Sequence, residues 1–92
     1  MVERGMQEAE PHFRALVATA VEIVGSQGAL AKAMGRSQQQ VSALINRAPA
    51  ISAEDALAIH HATGGRVAAS DIRPDLWRRP EDVPAPVEAG AA

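Results

Sequence analysis

Three consecutive glutamines, Gln38, Gln39 and Gln40, carry the most specific chemistry in this chain. A glutamine head holds a donor and an acceptor in one plane, which matches the N6 and N7 edge of adenine. The three stand in a window, residues 27–47, that contains Lys32, Arg36 and Arg47 and no acid. The overall net charge of −2 hides that window. Residues 1–26 set four glutamates against two arginines, residues 48–79 balance four acids with four arginines, and residues 80–92 carry three acids and no base. A purely basic window between acidic flanks is the electrostatic pattern of a phosphate-facing surface.

Other chemistries find less support. Cysteine is absent, so neither a disulfide frame nor a thiolate metal site is available. His60 and His61 are neighbours on a helix, point about 100° apart and cannot share a metal from one face, while His12 is remote in sequence. No glycine-rich phosphate loop with its lysine and no nucleophile elbow is present. The expectation is therefore no catalytic residue, no metal, no cofactor and no enzyme. No apolar run approaches the roughly 20 residues of a membrane helix. The start, MVERGMQEAE, does not read as a signal peptide, so a cytoplasmic protein without a membrane partner is expected.

The elements that must position the glutamines are helical. Phe13, Leu16, Val17, Ala20, Ile23 and Val24 recur at helical spacing after Pro11, and Gly25 ends that helix. Ser26 opens a second helix, Gln27 to Met34, closed by Gly35. Ser37 and Gln40 fit a capping box at the start of a third, whose apolar face is Val41, Leu44 and Ile45. Ser52 and Asp55 open a fourth, running to about Thr63 and closed by Gly64-Gly65. Val67, Ile72, Leu76 and Trp77 form a last apolar cluster around a short helix limited by Pro74. Trp77 reads either as a lid on the core or as part of a dimer interface. Arg66 and Arg73 read as surface ion pairs.

Twenty alanines and two aromatic residues mean a core of small side chains, which favours close-packed helices. The expected fold is all-α, a compact bundle of four to five short helices. Residues 1–10 are expected to be a flexible N-terminus, 11–77 the domain, and 78–92 a disordered acidic tail rich in proline and alanine.

The stretch QGALAKAMGRSQQQVSALIN, residues 27–46, has the spacing of a helix-turn-helix. Two helices approaching closely need a small residue at the fifth place, which is Ala31. The turn needs positive φ at the ninth, which is Gly35. Branched apolar anchors are needed at the fifteenth and eighteenth, which are Val41 and Leu44. The stretch resembles the Cro and phage-repressor class. The run ATGGRVAASDIRPDLW, residues 62–77, is similar to the end of the YdaS-type Cro-like domain, a group labelled antitoxin or prophage regulator.

The resemblance implies a sequence-specific double-stranded DNA-binding regulator. It is expected to be a repressor that covers a two-fold symmetric operator through the major groove, with a homodimer on DNA. Base contacts are expected from Gln38, Gln39, Ser42 and Ala43, and phosphate contacts from Gln27, Lys32, Arg36, Ser37, Asn46 and Arg47. Gln40 has a competing use in the capping box. Ala43 stands where family members often carry an aromatic residue, and the loop Ala48-Pro49-Ala50 is less basic than is usual there. The alternatives are an antitoxin that autoregulates its operon beside a toxin partner, and an activator that touches RNA polymerase.

Overall fold

The helical periodicity of the apolar residues builds one core. A computed structural model describes residues 12–84, and these form five α-helices and one 3-10 turn with no strand among them. The helices are α1 (Phe13–Val24), α2 (Gln27–Met34), α3 (Gln38–Asn46), α4 (Ala53–Ala62) and α5 (Ala69–Ile72), with the 3-10 turn at Pro80–Asp82. Phe13, Val17 and Ala20 from α1 meet Leu30 and Ala31 from α2, Val41 and Leu44 from α3, Ala56 and Ile59 from α4, and Ile72 from α5. Five of the fourteen buried hydrophobic residues are alanines, so helix axes approach closely where larger side chains would hold them apart.

Most helix ends follow their local chemistry. The Ser26 and Ser52 side chains accept the backbone N–H of Ala29 and Asp55, each capping its helix. α4 ends where Thr63-Gly64-Gly65 reverses the chain. Gly64 has φ 65°, and the Gly65 and Gly64 N–H groups donate to the His60 and His61 carbonyls. The buried Thr63 hydroxyl donates to the Ile59 carbonyl at 2.9 Å and accepts the Val67 N–H at 3.1 Å, tying the end of α4 to the segment that follows.

The loop between α3 and α4 is held by two arginines. Arg14 Nη2 donates to the Ala48 carbonyl at 3.0 Å, and Arg73 Nη1 donates to the Ile51 carbonyl at 2.8 Å. Arg73 also grips Asp75 through two bonds of 3.0 and 2.7 Å, which draws the Asp75 carboxyl below its usual range. Arg73 thus forms its expected ion pair, whereas Arg66 has none among the described residues. Trp77 is half-buried and packs on the core.

Residues 78–84 of the expected tail are among the described residues and include the 3-10 turn at Pro80–Asp82. Arg79 closes the 3-10 turn by pairing with Glu81 and Asp82, Val83 packs against the core, and the His61 Nε2–H donates to the Pro84 carbonyl at 3.1 Å. The composition is that of a disordered segment, but one valine and one histidine anchor its first residues. The N-terminal 1–10 segment and the rest of the tail lie outside the described residues.

The short helix α5 has no side-chain cap of its own. His60 supplies one from α4: its Nδ1 accepts the Ala69 N–H at 3.0 Å. Burial, and secondarily the neighbouring His61, lowers the His60 pKa below the ordinary histidine value. The unfolded chain therefore takes up this proton first as pH falls. The stability from neutral His60 is full above the unfolded value of about 6.5 and is lost as pH falls below it, through the lower folded value. His60→Asn keeps an acceptor at the Nδ1 position and does not titrate. The melting temperature is expected to fall further between neutral and mildly acidic pH in the parent than in His60→Asn, as followed by circular dichroism. Equal falls would show that His60 is not the titrating cap.

Candidate nucleic-acid interface

α2 and α3 are joined by the three residues Gly35, Arg36 and Ser37. Gly35 takes the left-handed conformation, with φ 72° and ψ 31°, a region that a side chain disfavours. The Arg36 N–H donates to the Ala31 carbonyl at 2.8 Å, and the Gly35 N–H to the Lys32 carbonyl at 3.2 Å. These two bonds close α2 and turn the chain within one residue of the next cap. Ser37 then starts α3: its Oγ accepts the Gln40 N–H at 3.1 Å, while its own N–H donates to the Gln40 side-chain oxygen at 2.8 Å. The box is complete, and it occupies the Gln40 amide.

The rest of α3 divides cleanly. Val41 and Leu44 are buried and Ile45 is half-buried. At about 100° per residue, Gln38, Gln39, Ser42, Ala43 and Asn46 fall in one arc of roughly 140° on the other side. Gln38, Gln39 and Asn46 are exposed, whereas Ser42 and Ala43 are half-buried between them. The Asn46 amide donates to the Ser42 carbonyl at 3.0 Å and to its Oγ at 3.2 Å. The Gln38 side-chain oxygen lies beside the first turn of α2, 3.6 Å from where a Cβ on Gly28 would stand. Gln39 is left as an exposed glutamine with no hydrogen bond from its side chain among the described residues.

The expected phosphate contacts also separate. Gln27 is half-buried in the first turn of α2, and Ser37 is exposed at the start of α3. Lys32 and Arg47 are exposed, and neither has an ion pair among the described residues. Arg36 differs. Its Nε donates to Asp55 Oδ1 at 2.8 Å, and its Nη2 stands 3.7 Å from Glu54 Oε1. The Asp55 carboxylate, first through this hydrogen bond, raises the Arg36 pKa. The turn before α3 is thereby strapped to the first turn of α4. Sequence reasoning missed this strap because Arg36 and Asp55 are nineteen residues apart, and nothing local links them.

Arg36 and Arg47 stand at opposite ends of α3, which at 1.5 Å per residue is roughly 14 Å long. One end thus carries a compensated cation and the other an uncompensated one, with the polar arc between. Such an arc can offer hydrogen bonds to a polar edge. None of the three histidines joins it. His12 Nε2–H donates to the Asp71 carbonyl at 2.9 Å, and His60 and His61 hold the C-terminal elements as described. No helix among the described residues is long and apolar enough to cross a membrane.

A family model described as bacterial toxin YdaS matches residues 17–80, a span that includes α2, α3, the turn between them and the Thr63–Trp77 segment. Neither a curated protein nor a solved structure matches the chain.

Two substitutions separate the structural residues of α3 from the free one. Ser37→Ala removes the cap and is expected to cost about 0.5–2 kcal/mol of stability. Gln39→Ala touches no partner and is expected to stay within about 0.5 kcal/mol of the parent. Urea unfolding of both variants measures this. A Gln39→Ala cost equal to that of Ser37→Ala would mean that Gln39 serves the fold.

Proposed function

The chain belongs to the YdaS bacterial toxin family, and from that membership together with the exposed arc of α3 we propose that it is a sequence-specific regulator that binds double-stranded DNA. α2 and α3 act as a helix-turn-helix, and α3 enters the major groove. Gln38, Gln39, Ser42 and Ala43 meet base edges, and the side-chain amides of Gln38 and Gln39 make no hydrogen bond among the described residues. Gln27, Lys32, Ser37, Asn46 and Arg47 meet phosphate. Arg36 contributes chiefly by positioning, since Asp55 already compensates its charge. The observation that carries the reading is a polar helix face that the rest of the fold leaves uncovered, with Arg47 at its C-terminal end making no ion pair among the described residues.

Regulation follows from occupancy. A repressor covers its operator and performs no reaction, so no enzyme, metal or cofactor is required. One module of this size covers a limited DNA surface, and two copies about a two-fold axis would read half-sites one helical turn apart. A cytoplasmic location suits that role. The family's description favours a second reading, in which the chain acts within a toxin–antitoxin pair. Controlled expression in a bacterial host separates the two: growth arrest that survives loss of DNA binding supports the toxin role.

The proposed DNA contacts are tested by fluorescence anisotropy on the protein's own upstream DNA and on a scrambled duplex. The logarithm of affinity is expected to fall linearly with the logarithm of salt, with a slope of roughly −4 to −8 for a dimer at about 0.9 per phosphate neutralised. Gln39→Ala is expected to reduce discrimination by about 1–3 kcal/mol and leave random-sequence binding nearly unchanged. Arg47→Ala, which removes one contact from each copy, is expected to make the dimer's slope shallower by about two units, and Arg36→Ala by clearly less. A salt-independent profile sinks the DNA reading, and equal slope changes sink the positioning role of Arg36.

A further inference from the structure

α5 is the least secured helix of the fold. It is four residues long and has no side-chain cap of its own. The Ser70 hydroxyl on it is buried and has no hydrogen-bond partner among the described residues, so water satisfies it only when α5 lifts. Two histidines hold its backbone, His12 at the Asp71 carbonyl and His60 at the Ala69 N–H. Chemically these two bonds are opposites. His12, like His61 at Pro84, donates Nε2–H to a carbonyl, and an imidazolium still donates there. His60 accepts through the Nδ1 lone pair, which protonation removes. Of the three histidine bonds, acid therefore breaks one, and that one is the cap of α5.

We propose that α5 is an acid-opened latch on the loop that follows α3. Arg73, which ends α5, ties that loop through its 2.8 Å bond to the Ile51 carbonyl. When α5 lifts, this tie is lost and the loop keeps only the Arg14 bond at Ala48. The rest of the fold can stay closed, because nine of the thirteen residues in the core cluster lie on α1 to α4. The opening is thus local, distinct from the loss of global stability argued above for the same histidine. Arg14 and Glu22 on α1, Lys32 on α2 and Asp71 on α5 are the ionisable groups of the helices packed against α4. α4 itself adds Glu54, Asp55 and His61, and the turn after it Arg66. Burial first, and among these groups the His61 charge alone, hold the His60 pKa below its ordinary value. The His61 ring stands edge-on to His60 at 5.5 Å. The latch is therefore shut at neutral pH and opens in mild acid, as pH falls through the lowered His60 value. It rests on the DNA reading only for its consequence, a change in how the C-terminal end of α3 is held.

The test is amide hydrogen exchange and NMR titration of the full chain between neutral and mildly acidic pH, for the parent and His60→Asn. The Asp71, Ile72 and Arg73 amides are bonded within the turn of α5. In the parent their protection, corrected for intrinsic exchange, is expected to fall roughly tenfold, the linkage of one proton over one pH unit, while amides inside α1 and α3 lose clearly less. The Ala50, Ile51 and Ser52 amide shifts are expected to titrate with the same midpoint as that of Ala69. Asp75, the carboxylate on Arg73, is held below its usual range by that arginine and does not titrate in this interval. His60→Asn keeps an acceptor that does not titrate, and both effects are expected to vanish in it. An equal fall of protection in every helix, silent loop amides, or a pH dependence that persists in His60→Asn overturns the proposal. Anisotropy on the upstream and scrambled duplexes keeps the two readings apart. Discrimination that weakens with acid in the parent but not in His60→Asn supports both. A latch that opens in a chain that ignores DNA supports the proposal and removes the DNA-binding function.

Discussion

The close approach of α2 to α3 is the constraint on which the rest depends. Ala31 and Leu30 on one helix meet the buried face of Val41 and Leu44 on the other, and the chain has three residues in which to turn between them. A larger residue at 31 would push α3 outward, at a cost typical of overpacking, about 1–3 kcal/mol. The turn is just as restrictive. Gly35 must be left-handed so that the Arg36 N–H can return to the Ala31 carbonyl, and Ser37 must be extended to cap α3. With both met, the direction of α3 is settled before any residue of its exposed arc is chosen. Gln38 and Gln39, exposed and without a side-chain hydrogen bond among the described residues, are therefore free of structural duty to a degree that their neighbours are not.

That separation explains what could be read in the sequence. The helix bounds, the capping box, the buried anchors of α3 and the small-residue core follow from local chemistry and spacing, and each is present in the structure. Gln40 was ambiguous on sequence, because an amide serves a cap or an outward face equally well. The 2.8 Å bond from the Ser37 N–H assigns it to the cap. What sequence could not show depends on long-range geometry. The Arg36–Asp55 strap, the His60 acceptor beneath α5 and the Arg14 and Arg73 bonds to loop carbonyls all join residues that share no periodicity or motif. Composition likewise does not register that Val83, in a segment rich in proline and acids, reaches the core.

The strap also changes how the basic window is to be weighed. Counted on the sequence, residues 27–47 hold three positive charges without an acid. In the fold, α4 brings Asp55 into contact with Arg36 and Glu54 close to it, so the excess lies on Lys32 and Arg47. A charge is weakened as an attractor for phosphate when a carboxylate already shares its donors, because the new contact must first compete with the old one. The strap trades general attraction for a defined position of the turn, and the uncompensated cation lies at the far end of α3.

The same economy governs the C-terminal half. A core this poor in large side chains leaves little margin, and the segment after α4 supplies much of the remainder: Val67, Ile72, half-buried Trp77 and Val83 all pack on it. Each needs the chain to reverse tightly, which Thr63-Gly64-Gly65 achieves while the Thr63 hydroxyl ties both sides of the reversal together. The segment therefore belongs to the domain rather than to a tail, and the family match accordingly extends to residue 80. Having closed the core with Trp77, the chain leaves the adjacent Leu76 in solvent.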